Sequence, residues 1–329
     1  MPPQTAIPEL KVRIGMGTAT FPFSSARAYW RWVDLLESSQ VDSLWQTDRL
    51  AGTQPFLESM STMAALAGAT ERLKFGMNAV VVSLRDPLVL AKQCATIDYL
   101  SGGRLLPVFG VGNDYSPEWN ATGRSPRQRG RLADEALEIM KRLWSEERVS
   151  FKGEFFQYED ASIAPRPVQK QLPLWIGGHS KAAIRRTARI GTGWLGGVQS
   201  PAQAGPVVAA IKEACAQIGR KIDEDHYGAG IPFHFGSWDD PEVAQFGRAR
   251  ARIRGAPDPR SYFAVGDAAT ILERVQEYLR VGVSKFVLIP IARGDDAMGD
   301  QTRRLVEEVI PVAHAWPGSA TREARSTRQ

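Results

Sequence analysis

Short apolar runs alternate along this chain with segments whose apolar residues return every three or four positions. The first kind of pattern predicts buried strands and the second amphipathic helices. The strand-like runs are Val12–Gly17, Val41–Gln46, Leu73–Val82, Leu105–Val111, Leu174–Ile176, Gly193–Leu195, Tyr227–Phe235 and Lys285–Ile291. Helical spacing covers Ala26–Ser39, Ser59–Ala69, Pro87–Leu100 and Gln128–Trp144. It returns from Ser180 to Ile190 and over Pro206–Ile218, Ala268–Val281 and Thr302–His314. A hairpin over Val149–Tyr158, turned at Lys152-Gly153, interrupts the alternation. Eight strands taking turns with helices predict an α/β fold, a (β/α)8 TIM barrel with excursions after strands four and seven. A doubly wound sheet would place three glycines after its first strand, and Gly15-Met16-Gly17 lacks the third. No shift in composition divides the chain, so 1–316 reads as one domain and the basic stretch 317–329 as a flexible tail.

The segment LPLWIGGHSKAAIRRTARIGTGWLGG, 172–197, packs strand, glycine turn, helix and strand together. Gly177 and Gly178 ahead of a helix capped by Ser180 would let an anion approach backbone N–H groups at the positive end of the helix dipole. The same glycines also serve an ordinary strand-to-helix reversal, so this stretch alone leaves both readings open.

Composition narrows the field. At 329 residues, with 43% hydrophobic and 23% charged, the chain is long enough for a sizeable core and has the balance of a soluble globular protein. The formal charge is +5, of which the tail contributes +2, and the remainder does not argue for nucleic acid. Two cysteines, Cys94 and Cys215, make no disulfide framework, in keeping with a reducing cytoplasm. The first residues lack a signal-peptide pattern, and no apolar run is long enough to span a bilayer, so a cytoplasmic location away from membranes is expected.

In barrels of this kind the reactive groups gather at the carboxyl ends of the strands. That rule selects Asp48 and Arg49 after strand two, Asn78 in strand three, and Gly112, Asn113 and Tyr115 after strand four. It also selects Gly177, Gly178, His179 and Ser180 after strand five, Gly196 and Gly197 after strand six, and His234 at the end of strand seven. His226 falls at the opposite end and reads as structural, and His314 on the last helix as solvated. No His, Cys, Asp and Glu set has metal-ligand spacing, and no nucleophile elbow is present, so hydrolase chemistry is unsupported. Two arginine-rich stretches, Arg124 to Arg131 and Arg248 to Arg254, read as solvated faces or as the seat of a polyanionic tail.

Several blocks then resemble the bacterial luciferase-like family of flavin- and deazaflavin-dependent oxidoreductases. They are VDSLWQTDRL, the long ERLKFGMNAVVVSLRDPLVLAKQCATIDYLSGGRLLPVFGVGNDYSPEW, the 172–197 segment, and VGDAATILERVQEYLRVGVSKFVLIP. The resemblance implies FMN or coenzyme F420 at the barrel mouth, with F420 slightly favoured by SGGR, GVG and IGGHS. It implies a non-proline cis peptide at Asn78–Ala79, a rare bond, against which the ring packs. It places the cofactor phosphate at Gly177–Ser180 and gives Gly110 and Gly112 the role of admitting the cofactor to backbone. Many relatives end strand two with Asp-His or His-His, where this chain has Asp48-Arg49. Arg49 cannot give up a proton at usable pH, but it can hold an anionic substrate or steady a reduced, negative ring. Tyr115 replaces the glutamate of the family's sugar-phosphate dehydrogenases and can donate a hydrogen bond or stack. The implied activity is hydride transfer to a small organic substrate or activation of dioxygen, with a separate reductase and a homodimer as expected partners. A flavin-binding protein without catalysis is the alternative, favoured by the missing histidine.

Overall fold

The computed structural model describes residues 10–253 and 255–317. Strand β1 (Arg13–Thr18) leads through α1 (Ala26–Glu37) to β2 (Ser43–Gln46), and α2 (Ser59–Ala69) leads to β3 (Lys74–Met77) and its continuation β4 (Val80–Val81). Helix α3 (Pro87–Leu100) precedes β5 (Val108–Gly110). The first excursion holds α4 (Glu118–Ala121), α5 (Arg129–Ser145) and the antiparallel hairpin β6 (Val149–Lys152) and β7 (Gln157–Ala161). Then come β8 (Trp175–Gly177), α6 (Lys181–Ile190), β9 (Gly193–Gly196), α7 (Pro201–Gln217) and β10 (Tyr227–Phe235). The second excursion carries α8 (Pro241–Ala251) and β11 (Ala264–Gly266), and the chain continues through α9 (Ala268–Arg280), β12 (Lys285–Pro290), α10 (Gly294–Arg304) and α11 (Ile310–His314).

The sheet runs β3-β2-β1-β12-β10-β9-β8-β5-β4, its neighbours all parallel, with β11 added beside β10. A parallel bridge from Phe75 to Leu105 joins the two ends, so the sheet closes into the expected barrel. Period-two alternation sorts its side chains. Phe286 and Leu288 point out to the helices, while Val287 between them points inward with Trp45, Val108, Trp175 and Leu195. The two tryptophans fill the interior because glycines face them. A Cβ on Gly15 or Gly76 would stand 2.8 Å from the Trp45 ring, and one on Gly193 would collide with Trp175. Among the described residues no helix is long and apolar enough to cross a membrane.

The structure departs from the sequence expectations where local cues compete. Strand three is not continuous, because the chain breaks step at Asn78–Ala79, which is cis as the family resemblance implied. The second excursion is not irregular: Pro241 at the first turn starts α8, and β11 pairs with β10 in register Phe233 to Ala264. Helix α7 begins at Pro201 rather than Pro206, because Ser200 and Gln203 form a capping box there. The closing helix starts early, at Gly294, and passes through a π-helical turn at Leu305–Val309 before Pro311, a residue that cannot bond back into a regular turn. His314 is not solvated; its Nε2 is buried without a hydrogen-bond partner among the described residues, and burial pulls its pKa below the usual value. Residues 318–329, most of the expected flexible tail, and Arg254 lie outside the described residues.

Candidate active site

The rim is laid with small residues just past β3, at Ala79, and where β5 and β8 end, at Gly110 and Gly177. Ala79 presents its methyl between two glycines: a Cβ on Gly110 would stand 3.5 Å from it, and one on Gly177 3.6 Å. The backbone there forms a floor with no bulk on it. Beyond it Gly178 turns with φ +101°, a conformation that favours glycine, and its carbonyl accepts a hydrogen bond from Trp194 Nε1 at 2.7 Å. Ser180 caps α6 by accepting from the Ala183 N–H at 3.2 Å. The first-turn N–H groups of α6 therefore face the end of the glycine turn, with Lys181 exposed beside them. Helix α6 is held in this pose by buried Arg186, which donates to Asp134 at 2.7 Å and to the Gly130 carbonyl at 3.1 Å.

Neighbouring groups complete the rim. Gly196 is buried, and a Cβ there would stand 3.0 Å from Gln199 Oε1, whereas Gly197 is exposed. His179 is exposed, and its Nδ1 lies 2.9 Å from the Gln199 amide nitrogen. Gln199 Oε1 is buried with no partner among the described residues. Gly112 turns with φ +69°, packed between Val81 and Trp119, and the carbonyl of exposed Asn113 accepts from Trp119 Nε1 at 2.7 Å. The backbone N–H of Asn78 bonds to Gln46 across β2 at 2.8 Å.

The four side chains expected to do chemistry differ in how far their bonds commit them. Asp48 is buried and fully engaged: Arg85 donates to both its oxygens at 2.7 and 2.8 Å, Ser59 adds 2.7 Å and the Val81 N–H 3.0 Å. It acts as a clamp joining β2 to β4. Arg49 is part-exposed, 3.4 Å from Glu118 and 5.6 Å over the Phe56 ring. His234 is buried with both nitrogens occupied, Nδ1 at 2.7 Å from the Ile291 carbonyl and Nε2 at 3.0 Å from Asp240. The Ser237 N–H and the His234 ring hold the Asp240 carboxyl below its usual range. Tyr115 stands 64% exposed on the loop after β5, open to whatever enters the mouth.

A cavity of about 500 Å3 opens beside Arg49 on the opposite arc of the rim, at the ends of β1, β2 and β12 and against α8. Its walls include Phe56, Phe246, Arg250, Arg293 and Met298, none of which carries a motif. Only Arg250 had a sequence signal, the arginine repeat, and which way it points was settled by α8. At the other end of the barrel, Asp223, Asp225 and His226 bring one ligand atom each within 4.8 Å, a grouping that the residue spacing did not announce.

Comparisons with known proteins bear on the family and the fold. An uncharacterized protein of Mycobacterium tuberculosis (strain ATCC 25618 / H37Rv) is 33% identical over 168 residues, 51% of this chain and 57% of that protein, so the chain spans little more than half of that relative's length. The pyrimidine monooxygenase RutA of Stutzerimonas stutzeri is 27% identical over 290 residues, covering 76% of this chain and 79% of its own. An F420-dependent secondary alcohol dehydrogenase, solved with an F420-acetone adduct, superposes with a TM-score of 0.77 at 18% identity over 95% of this chain and 100% of that one. The FMN-bound oxygenating constituent of 3,6-diketocamphane monooxygenase, from the CAM plasmid of Pseudomonas putida, gives 0.72 at 16% identity over 91% of this chain and 98% of that one. These two likenesses speak for the fold. The family profile for luciferase-like monooxygenases matches residues 10–280, and the chain belongs to that family.

Proposed function

We propose that this protein is a flavin- or deazaflavin-dependent oxidoreductase acting on a small organic substrate at the carboxyl end of the barrel. The observation that carries the reading is the bare floor formed by Ala79, Gly110 and Gly177, continuous with the capped end of α6. A flat ring fits such a floor, and side chains would obstruct it. A phosphate suits the Gly177–Ser180 turn, where first-turn N–H groups and Lys181 offer positive charge. When bound, the reduced ring supplies the hydride or the reaction with dioxygen. The chain's own residues then orient and enclose: Arg49 sets a fixed positive charge at the edge of the substrate cavity, and Tyr115 offers a phenol over the mouth. Coenzyme F420 is preferred to FMN on the blocks SGGR and IGGHS. A separate reductase, a homodimer and a cytoplasmic setting belong to the same reading.

One observation favours a second reading, a flavin-binding protein without catalysis. The acid–base groups at the rim are committed elsewhere, Asp48 to Arg85 and His234 to Asp240 and Ile291. Parallel titrations of the purified protein with FMN and coenzyme F420, followed by turnover with the one that binds, test both readings. Saturable binding of either cofactor is expected, and binding of neither would remove the proposal. Turnover above that of the free cofactor would remove the second reading.

A further inference from the structure

The rim cavity carries more positive charge than the protein neutralises. Three guanidinium groups, Arg49, Arg250 and Arg293, line it against one carboxylate, Glu242. Arg49 has Glu118 at 3.4 Å, whereas Arg250 and Arg293 have no ion-pair partner among the described residues. Arg250 lies 4.9 Å over the Phe246 ring, and burial lowers its pKa. Behind it Tyr262 keeps a buried hydroxyl with no hydrogen-bond partner among the described residues. Arg250 is half-buried and Arg293 exposed at the cavity wall, so a ligand that brings negative charge meets two guanidinium groups that are not ion-paired among the described residues. The rest of the lining is largely apolar, with Phe56 and Met298 facing the same space. In strand order β1, β2 and β12 lie across the barrel mouth from β5, β8 and β9, whose ends carry the rim glycines. At about 500 Å3 it has the size of a small-molecule site.

From this we infer that the cavity binds an organic carboxylate with an apolar body, its anionic group set against Arg250 and Arg293. The inference rests on reading the barrel mouth as the reaction site and adds the substrate class to it.

Calorimetric titration of the full chain with 1-naphthoate and with its neutral counterpart 1-naphthamide tests the assignment without any variant. Naphthoate is expected to bind about tenfold or more tightly than the amide, the scale of a charge-assisted hydrogen bond. R250Q should remove that preference while R248Q, at an exposed arginine of the same helix, keeps it. Equal binding of acid and amide, or a preference that survives in R250Q, overturns the inference. So does an R250Q protein that loses affinity for coenzyme F420 but not for FMN or naphthoate, because Arg250 would then serve the cofactor's tail. If naphthoate binds through Arg250 while neither cofactor binds the unaltered chain, the anion site stands and the proposed function falls.

Discussion

Gly177 shows how much one hydrogen atom in place of a side chain can matter. Its missing Cβ leaves the Ala79 methyl uncovered, with the nearest atoms to that position at 3.6 to 3.8 Å. Gly177→Val has room for its Cβ, but its two methyls would stand on the floor proposed for the ring. Affinity for FMN or coenzyme F420 is expected to fall about tenfold or more, since about 1.4 kcal/mol of lost contact is tenfold. A thermal melt within a few degrees of the unaltered protein would show that the barrel survives, and an unchanged titration curve would place the ring elsewhere. Asp48 teaches the opposite lesson at the same scale. Its position at the end of β2 was legible from the sequence, but its partner Arg85 lies 37 residues further on. No spacing rule announces such a clamp, so a residue marked for chemistry turns out to be spent on holding two strands together.

Elements were most legible where several local signals agreed. Helix α6 had apolar spacing, Ser180 as cap and Gly191 as stop, and it runs over Lys181–Ile190. Ser180→Ala removes the side chain that accepts from the Ala183 N–H, and a cap of this kind is worth about 1 kcal/mol. The urea midpoint is expected to drop accordingly with an unchanged slope, and cofactor affinity to weaken with it, because a frayed first turn no longer presents its N–H groups together. An unchanged midpoint would mean that the turn is held by Trp194 and Gly178 alone. Signals conflicted in the second excursion and at the start of α7. At α7 the expected start was Pro206, and the reciprocal bonds of Ser200 and Gln203 set the start earlier, at Pro201.

At the scale of the molecule, the amino end of the barrel carries the pH response. Burial pushes Asp42 up, but Lys285 and Lys74 outweigh it and hold the carboxyl well below its usual range. Nearby, His314 is kept neutral by burial, with the charge of Arg13 adding to the effect. The two signs act in different windows. A histidine with a lowered folded pKa contributes fully above its unfolded value near 6.5, and that contribution is lost as pH falls below it. A carboxyl with a lowered folded pKa contributes above its unfolded value of about 3.9 and loses that contribution on further acidification. Unfolding free energy measured from pH 8 to 3 is therefore expected to decline in two stages, and His314→Gln should flatten the first while leaving the second. A curve for H314Q that matches the unaltered protein would show that another group titrates in the upper window.

The alternation of apolar runs and helical spacing by itself determined the barrel, because each β/α unit hides one strand face and one helix stripe, and that need is written locally. The glycine turn on the rim was legible too, since two glycines between a strand and a helix cap mark a tight reversal, and Gly178 takes up the positive φ there. Tertiary structure alone decided which rim groups are at liberty. Asp48 and His234 find partners far along the chain, Arg250 is turned inward by a helix in an excursion, and the cavity is assembled from loops that carry no motif. Charge balance in such a space is a sum over distant segments, and no local pattern records it.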